Sequence, residues 1–185
     1  MKRSASCFLV LVACNAASAS DSLRTDYYRV DGNSVRSIRD ALDRHGPVGA
    51  DGKRYHGDTS WHVSWNFTYA PAGSACVIRS VRVDTDTVMT LPQLAGTGTL
   101  PASVRVKWET YSAALRLHED GHRRIAISAA RKVERRLSRL GGSGGCNALE
   151  SEANRVAQAI LSDFRARERD YDRSTDHGAS QGARF

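Results

Sequence analysis

The stretch that decides the fold is Val104–Leu137, VRVKWETYSAALRLHEDGHRRIAISAARKVERRL. Val104, Trp108, Tyr111, Leu115, His118, His122, Ile125, Ala129, Val133 and Leu137 recur every three or four residues, and Leu140 continues the series. At about 100° per residue they fall on one stripe. Arg116, Arg123, Arg124, Arg131 and Arg135 fall on the other side. The spacing predicts one long amphipathic helix over 103–140, ended by Gly141-Gly142.

Downstream, Cys146-Asn147 opens a second helix with Leu149, Ala153, Val156, Ile160 and Phe164 as its buried stripe, running to about Arg169. Residues 171–185 carry no apolar helical period and read as a Gly-, Ser- and Asp-rich tail. Upstream, Trp61, Val63, Trp65, Phe67 and Tyr69 alternate with polar residues, the period-two signature of a strand with one buried face. The aromatic residues of that run are expected in the core. Pro71-Ala72-Gly73 turns it into a second β-rich run, Cys76–Val83, so an antiparallel hairpin is expected. Tyr27–Val30 reads as a short strand, and Val35, Ile38 and Leu42 as a short helix reaching His45-Gly46-Pro47. Residues 48–60 read as a loop, and 90–102, with two prolines and two glycines, as a connection.

The 185 residues, 41% apolar and 25% charged, suit one soluble domain and exclude a disordered chain or a polytopic membrane protein. The net charge of +7, nearly all of its excess from Arg, permits an anionic partner without requiring one; no nucleic-acid partner is expected. Lys2-Arg3, an apolar run from Cys7 to Ala17 and Ala17-Ser18-Ala19 have the layout of a secretory signal peptide over residues 1–19, followed by a single domain over 20–185. The expected location is periplasmic or secreted. Leu11-Val12-Ala13 before Cys14 also resembles a lipobox, which would make an anchored lipoprotein the alternative. Export leaves two cysteines, Cys76 and Cys146, and an oxidising compartment then favours one disulfide between them.

The chemistry sits on the long helix, where His118-Glu119-Asp120-Gly121-His122 matches HExxH. Residues i and i+4 project from one face a turn apart, so both imidazoles can reach one Zn2+. Glu119 then stands beside the ion as general base toward water whose pKa zinc lowers to about 7. Gly121 is unfavourable in a helix interior by about 1 kcal/mol relative to Ala, which points to close approach of another backbone at this turn. A catalytic zinc needs a third protein ligand. Position 128 is Ser128, so the ligand is distant: His177, Glu150, Glu152 and Asp172 are the candidates, with Glu150 and Asn154 imitating an ExxxD pattern. Tyr171 or His62 could donate to a developing oxyanion, and Asp120, Asp172 or Asn154 could orient a ligand histidine. The resulting expectation is an α+β fold, a small antiparallel sheet packed on two long helices, the first a zincin-like active-site helix.

Thr59-Ser60-Trp61-His62-Val63-Ser64-Trp65, Cys76, Trp108-Glu109-Thr110-Tyr111, the HExxH turn, Cys146, Tyr171–Gly178 and Gln181-Gly182-Ala183 together resemble a bacterial family of predicted secreted Zn-dependent proteases, also treated as a domain of unknown function. The resemblance covers nearly the whole chain after the leader. It implies zinc on His118 and His122, Glu119 as base, and His177 as third ligand, because the closing Tyr-Asp to Thr-x-His-Gly segment resembles an active-site element. The expected activity is peptide (amide) bond hydrolysis on a peptide or protein substrate. An amidase acting on peptidoglycan cross-links would keep the same metal chemistry. The alternative class is a non-catalytic envelope module, with a structural or absent metal and a basic helix face that makes peripheral contact with anionic envelope components.

Overall fold

Strands form where branched and aromatic residues alternate with polar ones, and here two such runs pair along most of their length. The structure is a computed structural model that describes residues 20–49, 51–96, 100–142 and 144–185. In chain order it contains β1 (Ser20–Val30), α1 (Val35–His45), β2 (Asp58–Ala72), β3 (Ala75–Leu94), α2 (Ala102–Leu137), β4 (Gly141–Gly142), α3 (Gly145–Thr175) and a 3-10 turn (Ala179–Gln181). The predicted leader and Cys14 lie outside the described residues. No helix among the described residues is long and apolar enough to cross a membrane.

The fold is α+β, as expected. β2 and β3 form the predicted antiparallel hairpin, with Asp58 opposite Thr90 and Ala72 opposite Ala75. Gly73 turns it at φ 64°, a left-handed value that glycine adopts freely. The sheet order is β1-β3-β2, with β4 paired to the start of β3. One strand departs from the antiparallel expectation: β1 is parallel to β3, from Ser20 opposite Asp84 to Val30 opposite Leu94.

β3 also runs through Leu94 rather than giving way to a connection at residue 90. Pro92 is tolerated because β2 pairing stops at Thr90, so the missing N–H falls where β3 has only β1 beside it. α1 starts on a reciprocal Ser34–Ser37 capping box and buries Ile38, Ala41 and Leu42.

One face of β3 packs under the helices: Val81, Val83, Thr85, Thr87, Met89 and Leu91 are buried, while Arg82 and Asp86 between them are exposed. The apolar residues divide into two clusters. The first joins Val30, Ile38, Leu42, Met89 and Leu91 to Val104, Trp108, Tyr111 and Leu115 of α2. The second joins Val63, Val81 and Val83 to Ala129, Val133 and Leu137 of α2 and to Ala153, Ala157 and Phe164 of α3, with Trp61, Trp65 and Phe67 packed on it. The HExxH turn lies on α2 between the two clusters. His118, Glu119 and His122 are buried there and must find partners within the protein.

α3 begins beside the hairpin, where a disulfide joins Cys76 to Cys146 across 70 residues of sequence. It continues six residues past the expected end at Arg169, to Thr175. That extension brings Tyr171 and Asp172 against α2.

Candidate metal centre

His118, Glu119 and His122 are buried in the middle of α2. Their side chains meet the last turns of α3, whose facing residues are Glu168, Tyr171, Asp172 and Thr175. These are spaced i, i+3, i+4 and i+7, so they share one helix face.

Three acceptor atoms converge at this contact. His118 Nε2 lies 3.3 Å from His122 Nε2. Asp172 Oδ1 lies 3.3 Å from His118 Nε2 and 3.0 Å from His122 Nε2. Four ligands set tetrahedrally about 2.0–2.1 Å from a zinc ion stand roughly 3.3 Å from one another, so this triangle has the size of one face of that site. The other nitrogen of each imidazole is turned outward to an oxygen. His118 Nδ1 donates to Gln181 Oε1 at 3.0 Å, and His122 Nδ1 faces Glu168 Oε1 at 3.3 Å. In the tautomer that puts both protons on Nδ1, both Nε2 lone pairs and the Asp172 carboxylate point at one place. That donor set fits a borderline-soft divalent cation such as zinc.

In the metal-free site a proton takes the cation's place. Burial works against charge on His122, but the Asp172 and Glu168 carboxylates outweigh it and push its pKa up to about 10. Burial would raise the Asp172 carboxyl, yet its bonds to His118 and His122 hold it well below the usual carboxylate range.

Glu119 occupies the other side of the motif. Thr59 Oγ1 donates to Glu119 Oε2 at 2.7 Å, and the carboxylate lies flat against Gly57, where an added Cβ would stand 2.5 Å from Oε1. Burial pushes the Glu119 carboxyl above its ordinary range, partly offset by the Thr59 bond and by the two imidazoles. Asp58 is half-buried beside them, its carboxyl raised by burial and by the charges of Glu168 and Asp172, against the pull of His122. The segment before β2 thus closes over Glu119. It is fixed by His56, which bridges Asp43 of α1 (2.9 Å) and the buried hydroxyl of Tyr111 on α2 (2.8 Å).

Gly121 has its close neighbour, but a side chain rather than a backbone: a Cβ there would lie 2.2 Å from the Tyr171 hydroxyl. Tyr171 stacks on His118 with centroids 5.0 Å apart at 12°, and donates to the His118 carbonyl at 3.2 Å. Its hydroxyl is therefore committed to α2 and to Gln181, which donates to it from Nε2 at 3.1 Å.

Of the four candidates for a third ligand, the structure brings Asp172 into the cluster. The set with all ligand atoms within 4.8 Å of one another among the described residues is His118, His122 and Asp172. His177 stands just outside it: its Nδ1 is 3.7 Å from Asp172 Oδ1, and its side chain is 50% exposed. Glu150 and Glu152 are far along α3, bonded to Tyr69 and Arg155 respectively. Asn154 accepts from Trp65 Nε1, and Asp120 pairs with Arg123 and Arg124, so neither orients a ligand histidine. His62 is exposed on β2. Sequence reasoning missed Glu168 and Asp58 as site residues and gave Gln181 no role. The i, i+4 spacing of Glu168 and Asp172 was the available signal. On the basic side of α2, Arg123 pairs with Asp21, Arg116 donates to the Tyr27 hydroxyl and Arg124 pairs with Asp120.

Fold and site together define an α+β domain in which two buried histidines of an HExxH helix and one half-buried carboxylate of the neighbouring α3 form a donor triangle. The chain belongs to a family described as bacterial protein of unknown function (DUF922), whose model matches residues 25–178. Comparison with curated proteins and with solved structures gives no match.

Proposed function

We propose that this protein is an exported zinc metallopeptidase that hydrolyses peptide bonds, with His118, His122 and Asp172 holding the ion and Glu119 as general base. One observation carries the reading: three acceptors converge within 3.0–3.3 Å while each imidazole's second nitrogen is bonded to an outer oxygen. Structural zinc sites are closed by four protein ligands, whereas three leave a position for water. Outer-shell acceptors of the Glu168 and Gln181 kind fix tautomer and ring orientation in metal sites and raise ligand basicity.

Zinc supplies Lewis acidity there and brings the pKa of water down to about 7. The protein's part is to hold the ion, exclude bulk water and move a proton. Glu119 takes that proton from the attacking water and returns it to the departing amine; its raised proton affinity suits the first half of that task. The signal-peptide layout of residues 1–19 and the Cys76–Cys146 disulfide support export. A peptide or protein is the proposed substrate.

The test is metal content and hydrolysis of a mixed peptide library by wild type, Glu119→Gln and Asp172→Asn. Wild type and Glu119→Gln are expected to bind one equivalent of zinc, with hydrolysis lost by about 10²–10⁴-fold in Glu119→Gln. Asp172→Asn is expected to lose zinc at concentrations that saturate wild type. Full activity of Glu119→Gln rejects the mechanism, and full zinc retention by Asp172→Asn rejects the ligand set.

A further inference from the structure

α3 ends in an uncommon way. Asp176 and His177 follow it at φ 49° and 47°, and Gly178 at φ 84°. Three successive left-handed residues are available to glycine, but each L-residue there is strained by roughly 1–2 kcal/mol. Such strain persists only where surrounding structure enforces it, and it clusters at functional sites.

What the strain achieves is geometric. Had the helix continued, residue 177 would stand about 140° around the axis from residue 172, facing away from the site. The left-handed turn brings the ring back to Asp172, with Nδ1 3.7 Å from Oδ1, the same oxygen that faces the two imidazoles. Gly178 makes this possible by lying directly on the His118 ring, where a Cβ would meet Cγ at 2.9 Å. Tyr55 braces His177 from the segment before β2, with ring centroids 4.8 Å apart.

Two properties distinguish His177 from the ligands. At 3.7 Å it is too far from Asp172 for a hydrogen bond, and its ring makes none among the described residues; its polar contact is this longer ion pair, formed through Nδ1. It is also half exposed, whereas the side chains of His118 and His122 are 4% and 10% exposed. A strained, braced, solvent-facing donor beside the buried triangle is placed to meet a substrate.

We propose that His177 is a catalytic residue of this site, donating a ring N–H to the carbonyl oxygen of the scissile amide. The inference rests on the peptidase reading above. As the water oxygen bonds to the carbonyl carbon, the C–O π electrons move onto oxygen, and the His177 N–H meets the charge that develops there. Glu119 holds the water's proton; when the C–N bond breaks, that proton goes to the amine.

The test compares His177→Asn, which tolerates the left-handed backbone but is too short to reach, with His177→Gln, which restores an N–H donor at greater reach. The readouts are zinc stoichiometry, kcat and KM for a peptide substrate, and calorimetric affinity of the zinc-loaded protein for a phosphinic peptide, whose tetrahedral anion mimics the charged state. His177→Asn is expected to keep one equivalent of zinc, lower kcat about 10²-fold with KM little changed, and weaken phosphinate binding by a similar factor. His177→Gln is expected to recover part of both losses.

Loss of zinc in His177→Asn would make His177 a ligand and overturn the proposal. So would unchanged kcat and phosphinate affinity, or a wild type that binds no phosphinate. A wild type that binds phosphinate but cleaves no peptide would overturn the peptidase reading instead; the phosphinate affinities of the two variants then judge His177 alone.

Discussion

At the scale of single residues, the site is governed by how closely groups approach rather than by their charge. Gly121 illustrates this. In an exposed helix, replacing it with Ala would stabilise by about 1 kcal/mol. Here the new methyl would meet the Tyr171 hydroxyl at 2.2 Å and ring carbons at 2.5 and 2.8 Å, and Tyr171 is stacked on a proposed ligand. Overpacking of this kind typically destabilises by about 1–3 kcal/mol, which outweighs the propensity gain. Gly121→Ala is therefore expected to lower the melting temperature and also to weaken zinc binding, because the ring cannot move without releasing His118 and Gln181. A more stable Gly121→Ala protein would show that Tyr171 shifts freely and positions nothing. The need for a small residue was legible in the sequence, since glycine mid-helix calls for a reason. Its cause was not, because nothing in the spacing says which distant side chain arrives.

At the scale of elements, the second helix shows where sequence reading stops. Leu149 to Phe164 follow an apolar period, and the helix is legible that far. Beyond it the period is kept by Glu168, Tyr171, Asp172 and Thr175, which face His118 and His122 instead of a core. Hydrophobic periodicity cannot see a stripe made of polar residues, so the helix was expected to stop at about Arg169 and its working end was read as tail. The same blindness hid Asp172, a helical residue opposite the motif, behind His177, its neighbour past the helix end. The hairpin, α1 and both long helices were readable because each buries an apolar face. β1 over Ser20–Asp26 was not, being almost wholly exposed and held by backbone pairing to β3.

The disulfide belongs to this scale too. It fixes the start of α3 to the hairpin, 26 positions and about 39 Å along the helix axis from Asp172. Closing a 70-residue loop is worth about 4 kcal/mol in the entropic account. At roughly 2–4 °C per kcal/mol for a domain of this size, the Cys76→Ser/Cys146→Ser double variant should melt about 10 °C lower in a thermal scan. Its zinc affinity should stay within about twofold of wild type, since the far end of α3 is held by its own contacts to α2. A loss of affinity beyond tenfold would mean that the crosslink sets the register of the whole helix.

At the scale of the whole molecule, the site and the fold share one account of protons. In the metal-free protein the folded-state pKa of His122, about 10, lies above its ordinary value near 6.5. That stabilisation is fully present below pH 6.5 and drains away as pH rises toward 10. Asp172 is depressed, so its contribution is present above about pH 4 and is lost only as pH falls below that. Glu119 is raised by burial and therefore subtracts stability as pH climbs above the ordinary carboxylate range. His122 and Glu119 agree in sign on the alkaline side, where the Asp172 contribution is constant, and metal-free protein should be most stable near about pH 5–6. Zinc bound as proposed should counteract the trend, because it would compete with the His122 proton and its binding free energy would add to folding. Melting curves of chelator-treated and zinc-loaded protein from pH 5 to pH 9 should therefore diverge. The metal-free melting temperature should fall above pH 6.5, and the gap opened by zinc should widen with it. Parallel curves would mean that proton and metal do not meet at the same nitrogen. A metal-free Asp172→Asn protein should lose part of the alkaline slope, because His122 then keeps only Glu168 and the more distant charge of Glu119 to hold its own charge.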